Sequence, residues 1–390
     1  MRDFAVLMRA PGLALILVTQ LAARFPAGMY SLGVLMHVQR TQGSYTAAGL
    51  VLAAFSVGMA VAGPVVSRQL SRFGTLPVLL TTLTISVTAF ALLATLDVTL
   101  PWLMVLGAIG GAAMPPVIPT VRTLYPQLAP QHLLTALFSF DAALQEIIWV
   151  IGPVAITILV AGIGSGPALL VVVAVQVVGG LMFMLAPRVR GLRIPAGSRR
   201  FGRVLSNPSV LLMAVTSLLM IGAFASMEAA VVASFGHGSV NAGIVLAISS
   251  FGSLLGGLAA GNRPITRWSL ALRMLIVLVG FGLASLVTGF WGLSAALLVA
   301  GFGIAPALAA VSSVIAGSVP FSDTAEAYGW IGTGQLLGAS VGSALAGIAI
   351  DAAGGRGGIL VSVGIALAGV VVASVFRRAQ PDLRNGIVAQ

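Results

Sequence analysis

Apolar runs of about 20 residues, each long enough to cross the hydrocarbon core of a bilayer, recur along this chain from end to end. A chain built this way has too little polar surface to face water on all sides. Only 7% of its 390 residues are charged and 58% are hydrophobic, against about 25% charged in an ordinary soluble domain. Its 48 glycines and 19 prolines do not signal disorder, because disordered chains are poor in apolar residues. The fold class this dictates is all-α, a polytopic membrane protein with the lipid bilayer as its surroundings.

Reading the runs between breaks predicts twelve transmembrane helices, at 12–38, 46–66, 76–96, 101–121, 134–161, 167–186, 210–235, 241–260, 270–289, 292–316, 327–349 and 359–376. An even number places both termini on one side, and the basic residues decide which. All of them are arginine, since lysine is absent. Seventeen fall at the termini or in the loops on the side of the termini, against Arg40 and Arg356 on the other. The expectation is therefore a multi-pass membrane protein with both termini cytoplasmic. The net charge of +11 has this topological origin, and no nucleic-acid partner is expected. The missing lysine excludes a Walker-type P-loop, and the absence of cysteine excludes disulfides and thiolate chemistry. The N-terminal apolar stretch is too long for a cleavable signal and lacks a small-residue cleavage site.

The longest polar stretch, 188–208, separates an N-terminal six-helix bundle (1–187) from a C-terminal one (209–390). The halves echo each other. Pro11, Val18, Thr19 and Leu21 recur 197 positions on as Pro208, Val215, Thr216 and Leu218. AGLVLA at 48–53 returns as AGIVLA at 242–247, Gly58 and Gly63 are answered by Gly252 and Gly257, and Gly110 and Pro115 by Gly301 and Pro306. Parallel repeats of six-helix units are a signature of secondary transporters, with the substrate path between the halves near the midplane.

Twelve spans, a basic central linker, the six-plus-six repeat and Gly152-Pro153 in the fifth span together resemble the major facilitator superfamily. Within it, ARFPAGM at 23–29, DAALQEIIWVIGP at 141–153 and AEAYGWIGTGQLLGASVG at 325–342 are similar to bacterial drug-efflux-type proton antiporters, particularly short arginine-rich actinobacterial members. The resemblance implies two pseudo-symmetric bundles that alternate access, in a fold that commonly works as a monomer. It also implies a gating loop after the second span, where Arg72 and Gly74 match the family pattern and Ser67, Ser71 and Thr75 depart from it. The family's latching aspartate is absent there. The fourth span, read as 101–121, carries no charge, so the arginine often found in that span of the family is expected to be missing.

Four charged residues fall inside predicted spans: Arg24, Asp141, Glu146 and Glu228. A charge at mid-bilayer costs about 2.5–3.5 kcal/mol on insertion scales and usually faces a cavity or a partner. At about 1.5 Å per residue, Arg24 and Glu146 sit at equal depth, so a buried Arg24–Glu146 pair is expected, acting either as a proton-coupling device or as a static brace between the first and fifth spans. Asp141 is shallower, either functional or merely hydrated, and Glu228 lies near the outer end of the seventh span, where it suits a vestibule. Asp141, Gln145 and Trp149 step along one helix face at i, i+4 spacing. Gln20, Tyr30, Gln145, Trp149, Glu228 and Gln335 are the expected cavity residues. Tyr328 and Trp330 read as interfacial anchors. Pro26 is expected to kink the first span, and Gly152 and Pro153 to bend the fifth. The stripe Gly334, Gly338 and Gly342 reads as helix packing. His37, His132 and His237 are scattered and lack ligand spacing. No metal and no cofactor are expected, and the proton is the expected coupling ion.

The functional expectation is secondary active transport, specifically proton-coupled export of a small, partly apolar molecule. Uptake of a sugar, nucleoside or similar metabolite is the alternative, though a polar substrate would want more hydrogen-bonding side chains at mid-membrane. A membrane enzyme would need convergent nucleophile, base or metal ligands, which the sequence does not offer. A non-transporting receptor or scaffold is the remaining class.

Overall fold

The computed structural model describes residues 12–194, 201–235, 240–260 and 263–383. Pro11, the terminal and linker arginines Arg2, Arg9, Arg199, Arg200 and Arg384, and His237 lie outside the described residues, as do 195–200 of the expected linker.

Among the described residues the protein is all-α, with eleven helical segments long and apolar enough to cross a membrane. The last, Phe321–Val375, has 55 residues and would extend roughly 80 Å as one rod, far beyond any bilayer. It is two spans. Ala353 and Gly354 leave helical geometry, Gly354 with φ +63°, a left-handed conformation that glycine adopts without a Cβ penalty. Beyond the break Gly357 and Gly358 pack back against Ala349 and Ile350, so the chain reverses and the eleventh and twelfth spans run antiparallel.

Proline interrupts two further spans. The first span, Leu13–Gln42, divides into Leu13–Arg24 and Ala27–Gln42 at Phe25 and Pro26. The fourth, Leu100–Leu128, divides into Leu100–Ala112 and Val117–Leu128 around Pro115 and Pro116. Proline lacks the N–H and crowds the preceding turn, so each break follows directly from sequence.

The repeated glycines occupy equivalent contacts in the two halves. A side chain on Gly58 of the second span (Ala47–Phe73) would run into the carbonyl of Ala108 in the fourth, and one on Gly252 of the eighth (Asn241–Ala260) into that of Leu298 in the tenth (Gly289–Ser318). Gly111 of the fourth span, and not the Gly110 matched by sequence, is the counterpart of Gly301: it meets the Phe55 carbonyl as Gly301 of the tenth span meets that of Ser249, while Gly110 faces the Phe90 ring. Without a hydrophobic drive between helices in lipid, close backbone approach at small residues is what holds such pairs. The Gly334, Gly338 and Gly342 stripe packs likewise on Ala214, Leu218 and Gly222 of the seventh span (Pro208–Phe235).

The halves meet through two symmetric pairings. The second span lies on the eleventh, with Thr333 donating to the Ala60 carbonyl at 2.6 Å and Gly63 facing Gly329. The fifth span, Gln131–Ile163, lies on the eighth, with Gly257 against Ala143 and Ser139. At the arginine-rich end Arg68 pairs with Glu326 at 3.6 Å, and the Gly202 amide donates to the same carboxylate at 2.8 Å. The Phe201 ring lies 5.6 Å from that of Trp330 at a tilt of 38°, with the Arg68 guanidinium 5.6 Å from the Phe201 ring. In the loop after the second span, Gly74 makes the turn at φ +89° and Arg72 lies over its neighbour Phe73. The charge that crosses between the halves there is Arg68.

Candidate functional site: a buried arginine–carboxylate cluster on a central cavity

The cluster is assembled by helical spacing on three spans. Gln20 and Arg24 share a face of the first span as i and i+4, Asp141 and Gln145 do the same on the fifth, and Arg122 and Tyr125 are i and i+3 on the second half of the fourth. Arg24 Nη1 donates to Gln20 Oε1 at 2.8 Å and to Asp141 Oδ1 at 3.0 Å, and Nη2 donates to Gln145 Oε1. Arg122 Nε donates to Asp141 Oδ2 at 3.3 Å, and the Tyr125 hydroxyl to Oδ1 at 2.9 Å. Asp141 is 0% exposed, with Arg24 at 5% and Arg122 at 6%. A carboxylate stripped of water is costly unless paired and hydrogen-bonded, and Asp141 has both guanidiniums and a phenol.

The expected Arg24–Glu146 pair does not form. Asp141, expected to be shallower, lies level with Arg24, because the fifth span starts at Gln131 and the first at Leu13, and rotation about the fifth span turns Glu146 elsewhere. Asp141 and Gln145 face the first span, while Glu146, one residue and roughly 100° further round, faces the eighth. There Glu146 Oε1 accepts from the Ser253 hydroxyl at 2.9 Å, and Ser253 Oγ in turn accepts from the Ala305 amide at 3.1 Å. Among the described residues no salt bridge reaches Glu146.

The fourth span is not free of charge either. It runs on to Leu128 and carries Arg122 inside the protein, because the Pro115-Pro116 break lets a second helix continue where the sequence reading ended the span. Arg273, counted with the loop arginines although it falls at the start of the ninth predicted span, is buried in that span, Ser269–Leu286, and donates to the Pro306 carbonyl at 2.7 Å. Removing both from the tally leaves the arginine asymmetry in place.

A cavity of about 220 Å³ lies between the halves beside the cluster, walled by the first, second, fourth, fifth, tenth and eleventh spans. Arg24, Arg122, Gln145 and Gln335 line it. Tyr328 lines it too and is buried, its hydroxyl donating to the Ser312 carbonyl at 2.8 Å, so it is no interfacial anchor. Gln20 is buried behind Arg24. Tyr30 sits in the N-terminal half, stacked on Phe90 at 4.0 Å with its hydroxyl on Gln176. Neither Gln20 nor Tyr30 reaches the cavity, and Trp149 and Glu228 are exposed away from its lining. Gly152 takes a packing position, against the backbone of Gly28 in the first span. His37 is spent on Ser165 and the Leu93 carbonyl, and among the described residues no group of side chains is arranged to hold a metal.

Sequence reasoning missed Arg122, Tyr125 and Ser253 in this region, and Arg68 with Glu326 at the arginine-rich end. For Arg122 and Tyr125 a signal existed: the Pro115-Pro116 break implied a longer fourth span, and i, i+3 spacing would have put both on one face.

Over 93–94% of its length the chain superposes on solved transporters of low sequence identity. It is similar to the human organic anion transporter MFSD10 (TETRAN), with TM-score 0.71 and 15% identity over 99% of that chain. The E. coli fucose:proton symporter FucP gives TM-score 0.72 and 14% identity over 98% of its chain. A bacterial homologue of the iron transporter ferroportin, in an outward-facing state, gives 0.73 and 11% over 98%. At such identities these likenesses establish the fold alone. Among curated proteins no sequence match is found. The family model of the Major Facilitator Superfamily matches residues 16–269 and 232–388. Two bundles built on one repeat, a cavity between them and a family match across nearly the whole chain lead to one conclusion: this protein belongs to the major facilitator superfamily.

Proposed function

We propose that this major facilitator superfamily transporter exports a small, partly apolar molecule across a bacterial cytoplasmic membrane in exchange for protons, as a monomer with its arginine-rich end in the cytoplasm. The observation that carries the reading is the division of labour between two acids on one helix. Asp141 is fixed by Arg24, Arg122 and Tyr125 within one half. Glu146 instead lies on the seam between halves, held by Ser253 of the eighth span.

Closing a seam around an ionised carboxylate without a cation is costly, whereas closing it around a neutral acid is not. A proton on Glu146 therefore favours the closed seam, and its release favours separation of the fifth and eighth spans. Arg24 and Arg122, held from behind by Asp141, serve as the fixed wall against which substrate binds, with Gln145 and Gln335 offering hydrogen bonds. The Arg68–Glu326 pair acts as the cytoplasmic latch, in place of the family's loop aspartate. The cavity wall is otherwise largely apolar, with Met59, Met114, Ile331 and Leu336, which suits a partly apolar cargo.

The test is proton flux in inside-out vesicles that contain the protein and hold a respiration-generated pH gradient. Addition of a transported compound should partly collapse the gradient, and only in vesicles with the protein. A compound that accumulates in these vesicles with no change in the gradient would contradict proton antiport.

A further inference from the structure

The charge balance of the cavity points to a class of cargo. Two arginines line it and no carboxylate does. Asp141 stands behind them, fully buried, and neutralises one guanidinium only. The second positive charge has no acidic counterpart in the cluster. Such an excess inside a membrane protein is costly unless something of opposite charge comes to it.

The donors agree with the charge. Arg24 spends Nη1 on Gln20 and Asp141 and Nη2 on Gln145. Arg122 spends only Nε, on Asp141, and no protein hydrogen bond among the described residues takes its two terminal nitrogens. Its side chain is nevertheless more than nine-tenths buried, the guanidinium lies 5.9 Å from the Tyr328 ring, and the residue forms part of the cavity wall. A planar fork with one edge anchored and the other edge open matches the two oxygens of a carboxylate. The Nε hydrogen bond to the buried Asp141 carboxylate fixes the anchored edge, so the open edge faces the cavity before a ligand arrives.

The remaining wall is apolar, and about 220 Å³ falls below the range of about 300–1,000 Å³ of drug-sized pockets. We infer that the cavity binds a small organic monoanion, its carboxylate on Arg122 and its apolar body against the side chains of the second, fourth and eleventh spans. This rests on the transport reading above and narrows it from a partly apolar molecule to an amphipathic acid.

The experiment is equilibrium binding to the purified full-length protein in nanodiscs, using sets matched in shape: benzoate, benzamide and benzylamine, and hexanoate, hexanamide and hexylamine. Thermal stabilisation and calorimetry should register a carboxylate in preference to its amide and amine. Arg122→Gln should weaken that carboxylate by about tenfold or more, the loss of a charge-assisted hydrogen bond, with Arg122→Lys falling between. A readout that needs no variant is labelling of Arg122 by phenylglyoxal in the wild type, followed by peptide mass spectrometry, which benzoate should slow and benzamide should not. No stabilisation by either carboxylate at millimolar concentration, an equal response to amide or amine, or labelling indifferent to benzoate would each overturn the inference. The assay involves no proton gradient. Carboxylate binding without gradient-coupled flux would therefore sink the antiport reading and leave this one standing, and flux of neutral or cationic compounds alone would do the reverse.

Discussion

A single carboxylate with three partners decides how each neighbour can be changed. Asp141→Asn leaves Arg24 and Arg122 buried together without a counter-charge, and removing one member of a buried charged group costs about 3–5 kcal/mol. Arg24→Gln still leaves Asp141 with Arg122 and Tyr125, so its cost should be clearly smaller. Tyr125→Phe removes one hydrogen bond and should cost about 1 kcal/mol. Denaturant unfolding in detergent should rank the three in that order, and an Arg24→Gln as damaging as Asp141→Asn would mean that Arg122 does not share the charge. The existence of these buried charges was legible, because a charged letter inside an apolar run is conspicuous. Their pairing was not. Counting residues from misplaced span ends set Glu146 instead of Asp141 level with Arg24, partners depend on helix rotation as well, and adjacent letters such as Gln145 and Glu146 point to different halves of the protein.

At the scale of the helix, glycine sets how closely spans approach. Gly58 and Gly252 occupy the same place in the repeat and each abuts a backbone carbonyl of the partner helix. Gly58→Val and Gly252→Val should each destabilise by about 1–3 kcal/mol through overpacking, whereas Gly162→Val, at a position with nothing nearby, should be close to neutral. Thermal unfolding of the three variants checks this, and a harmless Gly252→Val would contradict the symmetry of the contacts. Most of the fold was readable at this scale, since run length counts spans and the glycine and proline matches expose the repeat. The ends of spans were less so. Pro115-Pro116 interrupts the fourth span without ending it, and the turn at Gly354 is so tight that helix runs up to it on both sides.

For the molecule as a whole, the arrangement of the halves implies motion. Spans two and eleven, and five and eight, touch while the arginine-rich end is joined by Arg68, Glu326 and the Gly202 amide. With no native cysteine, Ser67→Cys with Gly329→Cys can be cross-linked against a clean background. A Cβ on Gly329 lies 3.0 Å from the Ser67 oxygen, within reach of a disulfide, and 2.8 Å from the Pro64 Cα, so the two spans shift slightly apart to admit it. Oxidation should form the bond readily and stop transport, and reduction should restore it. Full transport in the cross-linked protein would show that this seam need not open. No single run of sequence announces such a seam, because Arg68 and Glu326 stand far apart in the chain and each reads alone as an ordinary loop charge.

The central claim is that a proton on Glu146 couples the seam to cargo movement, and it is tested most directly by separating exchange from drive. In vesicles with Glu146→Gln, whose side chain stays neutral and favours the closed seam, counterflow of labelled for unlabelled cargo should be slowed but measurable, while accumulation driven by a pH gradient should vanish. Gradient-driven accumulation at the wild-type level in Glu146→Gln would contradict the account.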